Sequence, residues 1–299
     1  MKAAIIGVGK VGSLRLKILE KFKEIKKIYL VDKDRKKLSL YPSYESFSCY
    51  TLLKNKVDFV IISTPTSSHF EIAKFFLKNK IPTLVEKPLA SSLKETNYLF
   101  NLSKKNKTLL FVGHTERYNC AYQKIRKIIH QPYFIECHRL SPYPYRSLDI
   151  SVILDLMIHD LDLILELVKK REIKRIEAMG AKVLSSHFDI ANARIVFKEG
   201  LIANLVASRI SKEKMRKLRI FSSSDYISLD LAQQKIEIYK KRRKKIQYKC
   251  LSCKNEPLEE ELKDFLNQMK KKRFNWNSLE RACLALKLAL KIQKIIEKK

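Results

Sequence analysis

The sequence predicts an α/β protein built from an N-terminal doubly wound parallel sheet, of the Rossmann type, and a C-terminal α/β domain with an open, mostly antiparallel sheet. β-branched runs alternate with amphipathic segments through the first 120 residues, and a glycine-rich turn follows the first run. After about residue 130, several strand-like runs follow one another without helices between them. A chain of 299 residues with 45% hydrophobic content can bury two cores. We predict domains at residues 1–119 and 120–299, with the last helices able to pack back on the first.

The first domain is predicted from strands that alternate with helices, the pattern of βαβ crossovers. The predicted strands cover residues 3–8, 27–32, 58–63, 83–86 and 108–113. The predicted helices cover residues 10–23, 68–78 and 92–105. The run at 58–63 is almost wholly apolar, as expected of a parallel strand buried on both faces.

The second domain is predicted to begin with a strand at 133–140 and a strongly apolar helix at 151–169. Between residues 173 and 246 lie further strand-like runs, among them 194–197, 202–208 and 236–239. Two helices, at about 258–272 and 278–297, close the chain. The last one has an apolar period near 3.6 residues, which favours ordinary packing over a partner-binding motif.

Composition limits the class of partner. The formal net charge is +31, but the two basic runs, 240–245 and 270–273, are not interleaved with aromatic residues. Dispersed surface lysines therefore explain the charge better than a nucleic-acid interface, and a positive field also attracts anionic small molecules. No apolar stretch approaches the ~20 residues that span a bilayer, and the N-terminus lacks a signal sequence, so we expect a cytoplasmic protein without a membrane partner.

The cysteine pattern does not indicate a metal site. Cys250 and Cys253 form a lone CxxC among six cysteines, without the second ligand pair that structural zinc requires. In a cytoplasmic protein we expect reduced, partly buried thiols and no bound metal.

A dinucleotide cradle is predicted at the end of the first strand. Three of the six glycines of the chain lie in the GxGxxG turn, which comprises Gly7, Val8, Gly9, Lys10, Val11 and Gly12. Such a turn brings backbone and a helix N-terminus close to a pyrophosphate. Asp32, at the end of the second strand, stands where an acid binds the adenosine ribose and favours NAD. Lys33 and Arg35 are able to partner a 2′-phosphate, which keeps NADP open.

A hydroxyl-rich loop follows the third predicted strand and enters a helix. Its residues Ser63, Thr64 and Pro65, with His69 further on, suit the second ribose or the nicotinamide-side phosphate. N-capping by Ser67 or Ser68 is the structural alternative, and it is compatible with cofactor binding.

Lys87 is the strongest candidate for chemistry. The run Glu86-Lys87-Pro88 follows another strand of the same sheet, so it should open at the carboxyl edge where ligands bind, and we predict that Glu86 and Lys87 also contact the cofactor. An ammonium group there can hydrogen-bond an alcohol that loses hydride and stabilise the developing negative charge on its oxygen. The alternative, a solvated surface lysine, explains the position less well beside a cofactor cradle.

Asp155 and His159 form a second candidate pair, four residues apart on the predicted apolar helix 151–169. At that spacing the two side chains project side by side. Polar groups on so apolar a helix are paired or face a cavity, and an acid–imidazole pair can manage the hydroxyl proton. A buried structural histidine is the alternative, and Asp160 and Asp162 crowd the same stretch.

The polar segment Gly113-His-Thr-Glu-Arg-Tyr-Asn119 ends the last strand of the first domain. We predict that Arg117, Tyr118 and Asn119 contact substrate or the domain junction. Ordinary junction packing is the competing interpretation, above all for His114 and Glu116.

Taken in order, the motifs GVGKVG, STPTSSH, EKP, VGHTERYN and DLMIH-D resemble the glucose–fructose oxidoreductase/inositol dehydrogenase (Gfo/Idh/MocA) family over essentially the whole chain. The resemblance implies a tightly held NAD(P), an open sheet that mediates oligomers (a dimer or a tetramer), and Lys87, Asp155 and His159 at the sugar carbon.

Within that family, VGHTERYN and the segment around Arg146 are similar to bacterial enzymes that oxidise C3 of UDP-N-acetylglucosamine on the way to amino-sugar lipid A precursors. This similarity implies a nucleotide-sugar substrate and adds Arg146 to the substrate-binding residues. A dehydrogenase of an inositol, an aldose or a UDP-uronic acid sugar is the nearest alternative. A non-catalytic dinucleotide-binding sensor or scaffold is the alternative outside the enzymes.

Overall fold

The computed structural model describes residues 1–129, 131–144, 149–169, 171–243 and 245–298. It divides the chain into two compact units, unit 1 with residues 1–114 and 258–283, and unit 2 with residues 115–257 and 284–299. The sequence prediction placed the boundary at 119/120 and allowed the last helices to pack back on the first domain. In the structure, the segment 258–283 groups with unit 1.

Unit 1 contains a parallel sheet of six strands in the order β3-β2-β1-β4-β5-β6. The strands are β1 Lys2–Ile6, β2 Lys27–Val31, β3 Ser46–Phe47, β4 Phe59–Ile62, β5 Thr83–Glu86 and β6 Leu110–Gly113. The helices are α1 Lys10–Leu19, α2 Arg35–Leu38, α3 Thr66–Lys78, α4 Leu93–Asn106 and, from the C-terminal segment, α7 Pro257–Lys271. Strand β4 is fully buried along its length, as its apolar run predicted.

Unit 2 contains a sheet of eight strands in the order β14-β13-β12-β11-β7-β10-β9-β8. The strands are β7 Phe134–Leu140, β8 Ile173–Ala181, β9 Ile190–Phe197, β10 Ile202–Ser208, β11 Met215–Phe221, β12 Asp225–Asp230, β13 Lys235–Arg242 and β14 Lys245–Ser252. Only the β7–β10 pair is parallel, so the prediction of an open, mostly antiparallel sheet is confirmed.

Helices α5 Cys120–Ile125 and α6 Ile158–Val168 belong to unit 2, and α8 Trp276–Glu297 ends the chain. The segment Ile153–Met157, just before α6, is a π-helix. One face of the sheet packs into the core: along β7, Ile135 and Cys137 are buried, whereas Phe134, Glu136 and His138 alternate with them and are only half-buried.

Cys120 and Cys253 are joined by a disulfide bond. The expectation that all six cysteines are reduced is therefore wrong for this pair, which lies 133 residues apart in the sequence and within one unit of the fold. Across the described residues, no helix is both long and apolar enough to cross a membrane.

Candidate active site

The glycine turn of unit 1 is shaped by two glycines and left open at the third. Gly7 has a φ of +90°, and a Cβ there would lie 2.7 Å from the carbonyl oxygen of Ser63. A Cβ on Gly12 would overlap the carbonyl oxygen of Gly7. At Gly9, no heavy atom of the described residues comes within 4 Å of the position that a Cβ would occupy. The backbone geometry therefore requires glycine at positions 7 and 12. Glycine at position 9 instead leaves space free beside the backbone.

The N-terminus of α1 borders that space. Gly9 is its N-cap, no side chain of the described chain caps it, and its first turn contains no acidic residue. A helix end with exposed N–H groups and no competing carboxylate suits a phosphate. The predicted loop residues Val8, Lys10 and Val11 lie in this turn and the start of α1.

Asp32 is held against the glycine turn. Its Oδ2 accepts a hydrogen bond from the amide of Val8 at 3.0 Å, and its Oδ1 accepts one from the amide of Asp34 at 3.0 Å. Each carboxylate oxygen retains a further lone pair for a ribose hydroxyl. Lys33 and Arg35 follow as exposed side chains.

The Ser63 loop contributes a buried hydroxyl that has no hydrogen-bond partner among the described residues. Ser63 itself directly follows β4. Buried polar groups are nearly always satisfied, so an orphaned hydroxyl beside the glycine turn fits a bound ligand. The Ser63 hydroxyl, the open space at Gly9 and the fixed carboxylate of Asp32 together suit a bound dinucleotide.

His69 connects this loop to the Lys87 turn. Its Nδ1 lies 2.8 Å from the carbonyl oxygen of Pro88, and its Nε2 lies 2.9 Å from that of Thr64. The ring is 1% exposed, and burial lowers the pKa of His69 against the opposing effect of the two carbonyl oxygens. With both nitrogens at carbonyls, the side chain predicted to bind cofactor supports the loop. Pro65 is the N-cap residue of α3 and is exposed.

Lys87 follows β5 and is half-buried. Because β1, β4 and β5 are adjacent and parallel, the glycine turn, the Ser63 loop and the Lys87 turn all leave the same carboxyl edge of the sheet. Glu86, predicted to bind cofactor, pairs with buried Arg15: Arg15 Nε lies 2.7 Å and Nη2 2.6 Å from Glu86 Oε1.

In unit 2, Asp155 lies in the π-helical segment and His159 lies in the first turn of α6. Both side chains are half-buried, and each is flanked by fully buried residues such as Met157 and Ile158. The pair thus sits at the boundary of an otherwise apolar element, and π-turns within helices are frequent at functional sites.

The VGHTERYN segment is fixed to this helix by buried ion pairs. Arg117 Nε lies 2.6 Å from Asp162 Oδ2 in a bidentate pair, and Arg117 is 5% exposed. Arg139, on β7, pairs with Asp160 on one side and Glu116 on the other, at 2.7 and 2.8 Å. Burial raises the pKa of Asp160 although Arg139 opposes the shift.

The other predicted substrate residues are placed differently. Asn119 is buried: its Oδ1 accepts from the amide of Ala121 and caps α5, and its Nδ2 donates to the carbonyl oxygen of Leu231. Tyr118 is half-buried. Arg146 lies outside the described residues. Arg117 and Asn119 thus have protein partners in the interior of unit 2.

The main residue that sequence reasoning missed is Arg15. Positions 12, 15, 16 and 19 make the buried stripe of α1, and an arginine within such a stripe signals a buried ion pair. Its second partner, Glu261, is 246 residues away, and no local pattern indicates it.

Comparison with known proteins agrees with this geometry. The model of a family described as an oxidoreductase family with an NAD-binding Rossmann fold matches residues 1–114, which confirms the predicted cofactor class. The UDP-N-acetylglucosamine 3-dehydrogenase of Acidithiobacillus ferrooxidans is 32% identical over 241 residues, covering 80% of this chain and 77% of that protein. The myo-inositol 2-dehydrogenase of Thermotoga maritima is 23% identical, covering 100% of this chain and 97% of that protein.

Solved structures give the same result for the fold. The structure of UDP-N-acetylglucosamine 3-dehydrogenase GnnA from Acidithiobacillus ferrooxidans superposes with a TM-score of 0.92 at 29% identity, covering 100% of this chain and 98% of that one. A scyllo-inositol dehydrogenase from Lactobacillus casei with bound NAD(H) and scyllo-inositol has a TM-score of 0.83 at 17% identity, covering 100% of this chain and 97% of that one, and supports the fold alone.

Proposed function

Because this chain belongs to the Gfo/Idh/MocA oxidoreductase family, we propose that it oxidises C3 of UDP-N-acetylglucosamine to a 3-keto sugar with NAD as hydride acceptor. The relative of that activity from Acidithiobacillus ferrooxidans supports the choice of substrate. The structural observation that carries the proposal is the Lys87 turn, which leaves the same sheet edge as the glycine turn and is joined by His69 to the Ser63 loop.

The reaction removes a hydride from C3 and a proton from its hydroxyl, which gives a ketone, a reduced cofactor and a proton. The nicotinamide supplies the hydride-accepting carbon when the cofactor is bound. Lys87 donates a hydrogen bond to the C3 oxygen and stabilises the negative charge that develops there. His159 accepts the hydroxyl proton, and Asp155 orients its ring. The reverse assignment, with Lys87 as the base, remains the competing form of the proposal.

Lys87→Met tests the catalytic assignment. Loss of an oxyanion-stabilising donor lowers kcat by about 10²–10³-fold. The dinucleotide Kd, measured by nicotinamide fluorescence, should stay within about threefold because the phosphates bind elsewhere in the cradle. Lys78→Met, at an exposed position at the end of α3, is the matched control and should behave as wild type. A Lys87→Met enzyme with wild-type kcat would remove the assignment.

A substrate panel tests the proposed sugar. UDP-N-acetylglucosamine, myo-inositol, a free aldose and a UDP-uronic acid are each mixed with enzyme and NAD, and cofactor reduction is followed by absorbance. We expect the highest kcat/KM with UDP-N-acetylglucosamine. Preference for inositol would favour the second candidate, which the full-length match to an inositol dehydrogenase supports. Dinucleotide binding without turnover of any sugar would favour a sensor or scaffold.

The same assay with NADP tests the cofactor preference. Asp32 disfavours a 2′-phosphate by charge, so we expect a lower kcat/KM with NADP than with NAD.

The product, a 3-keto nucleotide sugar, is chemically suited to amination at C3. This suits the proposed role in the synthesis of amino-sugar lipid A precursors.

A homo-oligomer, formed through the outer face of the eight-stranded sheet, completes the proposal. A row of rings crosses five strands of this face, with centroid separations of 5.4, 4.8, 5.5 and 4.8 Å along Phe134, Phe221, Tyr226, Tyr239 and Tyr248. Acidic and basic side chains alternate beside it, as in the Arg219–Glu136 and Lys217–Asp230 pairs. A face with both signs of charge and an apolar row is complementary to a second copy of itself.

Light scattering after size exclusion tests the oligomer. Wild type should elute as a dimer or tetramer, and Tyr226→Asp should shift it toward the monomer because a carboxylate is then buried within the ring row. A monomeric wild-type protein at micromolar concentration would contradict this part of the proposal.

A further inference from the structure

The C-terminal segment of unit 1 reaches the Lys87 turn through a buried chain of charges. Glu261 lies on α7, and its Oε2 is 2.5 Å from Nη2 of Arg15. The same Nη2 is 2.6 Å from Oε1 of Glu86, the residue immediately before Lys87. Arg15 and Glu261 are both 0% exposed. Two carboxylates from distant parts of the sequence, Glu86 and Glu261, therefore meet at one guanidinium on α1.

The triad of Arg15, Glu86 and Glu261 packs directly against the backbone of a glycine. Gly113, on the neighbouring strand β6, has no room for a side chain: a Cβ there would lie 2.9 Å from Glu86 Oε2 and 3.2 Å from Arg15 Nη2. Burial disfavours the charge of Arg15, but Glu261 and Glu86 outweigh that effect and raise its pKa. The guanidinium therefore stays charged and keeps both carboxylates in place.

Buried ion pairs are weak evidence for stability, because well-packed apolar residues often stabilise a core as well or better. The Arg15–Glu86 pair nevertheless restricts the geometry of the Lys87 turn. Arg15 fixes the side chain of the residue before Lys87, and His69 holds the carbonyl oxygen of Pro88, the residue after it. Lys87 is thus clamped from both sides, and one of the clamps depends on α7.

We infer that Arg15 and Glu261 are positioning residues that place the Lys87 ammonium for hydride transfer. The inference rests on the proposed function of Lys87. Glu261 holds Arg15, Arg15 holds Glu86, and Glu86 sets the course of the backbone into Lys87. The segment 258–283 therefore contributes to catalysis through a residue that touches neither substrate nor cofactor.

Glu261→Gln is the main test, and Glu259→Gln is its matched control. Glu259 lies on the same helix and pairs with Lys21 and Lys263 at the surface, with 24% of its side chain exposed. A small displacement of a reacting group can cost about 100-fold in rate, so Glu261→Gln should lower kcat by about 10- to 100-fold. KM for the sugar and the NADH Kd should stay within about threefold, because the inference assigns Glu261 no contact with either ligand. Glu259→Gln should behave as wild type.

A double-mutant cycle with Lys87→Met separates positioning from general stability. If Glu261 acts through Lys87, Glu261→Gln changes the residual kcat of the Lys87→Met enzyme by less than about twofold. Glu261→Asp keeps the charge and should recover part of the lost kcat. It also carries the test if Glu261→Gln fails to fold, by combining a lowered kcat with wild-type NADH binding.

The outcomes distinguish the two proposals. Unchanged kcat in both Glu261 variants, with a strongly impaired Lys87→Met enzyme, overturns the positioning role alone. An equal loss of kcat in wild-type and Lys87→Met backgrounds also overturns it, because the effect then bypasses Lys87. A fully active Lys87→Met enzyme overturns the proposed function and this inference with it.

Discussion

Gly9→Ala separates the cost of folding from the cost of cofactor binding. Gly9 has φ −69° and ψ −167°, an extended conformation that alanine adopts, and its Cβ would meet no described atom within 4 Å. Loss of glycine entropy in the unfolded chain gains about 0.4–1 kcal/mol. Alanine is a poorer N-cap than glycine by an amount of similar size. The free energy of unfolding should therefore change by less than about 1 kcal/mol.

The methyl group of Gly9→Ala should instead weaken binding of the dinucleotide. It occupies the space beside the backbone amides, so the phosphates lose at least one charge-assisted hydrogen bond, which contributes about 1.5–3 kcal/mol. That loss corresponds to a rise in Kd of about 10- to 100-fold. Urea unfolding measures the first quantity and NADH fluorescence titration the second. Gly12→Ala, whose Cβ overlaps the carbonyl of Gly7, is the contrasting variant and should destabilise the fold. Wild-type NADH affinity in Gly9→Ala would refute the cradle.

Three further predictions concern stability. Arg117→Leu removes the bidentate partner of buried Asp162 and should lower the free energy of unfolding by about 3–5 kcal/mol. An unchanged urea midpoint would show that the Arg117–Asp162 pair does not contribute to stability. Because burial depresses the folded-state pKa of His69, its contribution to stability is present above the unfolded value near 6.5 and is lost as pH falls below it. His69→Gln should therefore flatten the decline in stability between about pH 6.5 and 5, and an identical pH profile for the variant would exclude His69 as its source. Reduction of the Cys120–Cys253 disulfide, which closes a long loop, should lower stability by about 2–4 kcal/mol, and Cys120→Ser should be insensitive to reductant.

The fold was predictable because its pattern is local. Apolar runs that alternate with amphipathic helices specify a parallel sheet, and parallel strands place the Gly7, Ser63 and Lys87 turns at one edge without further information. The spacing of Asp155 and His159 placed both on an apolar helical stretch, and the structure has Asp155 in the π-helical segment and His159 in α6.

Long-range pairings and local irregularities were not predictable. The contact of Arg15 with Glu261 and the Cys120–Cys253 disulfide join residues that are far apart in the chain, and one sequence contains no record of such pairs. The π-segment Ile153–Met157 differs from an α-helix only in its hydrogen-bond register, which hydrophobic periodicity does not resolve.

The VGHTERYN segment shows why a polar motif is ambiguous. Arg117 and Asn119 have the composition of a substrate site, and the structure uses both in the interior of unit 2. Their partners include an acid on the apolar helix, Asp162, whose crowding with Asp160 was visible in the sequence. The crowded acids were visible in the sequence, but their arginine partners were not predicted.

Transfer of deuterium from a specifically labelled sugar tests the central claim most directly. UDP-N-acetylglucosamine carrying deuterium at C3 is incubated with enzyme and NAD, and the reduced cofactor is weighed by mass spectrometry. The account predicts reduced cofactor heavier by one deuterium, formed at least about 100-fold more slowly by the Lys87→Met enzyme. Unlabelled reduced cofactor, with the deuterium retained in the sugar, would show that C3 is not the carbon oxidised.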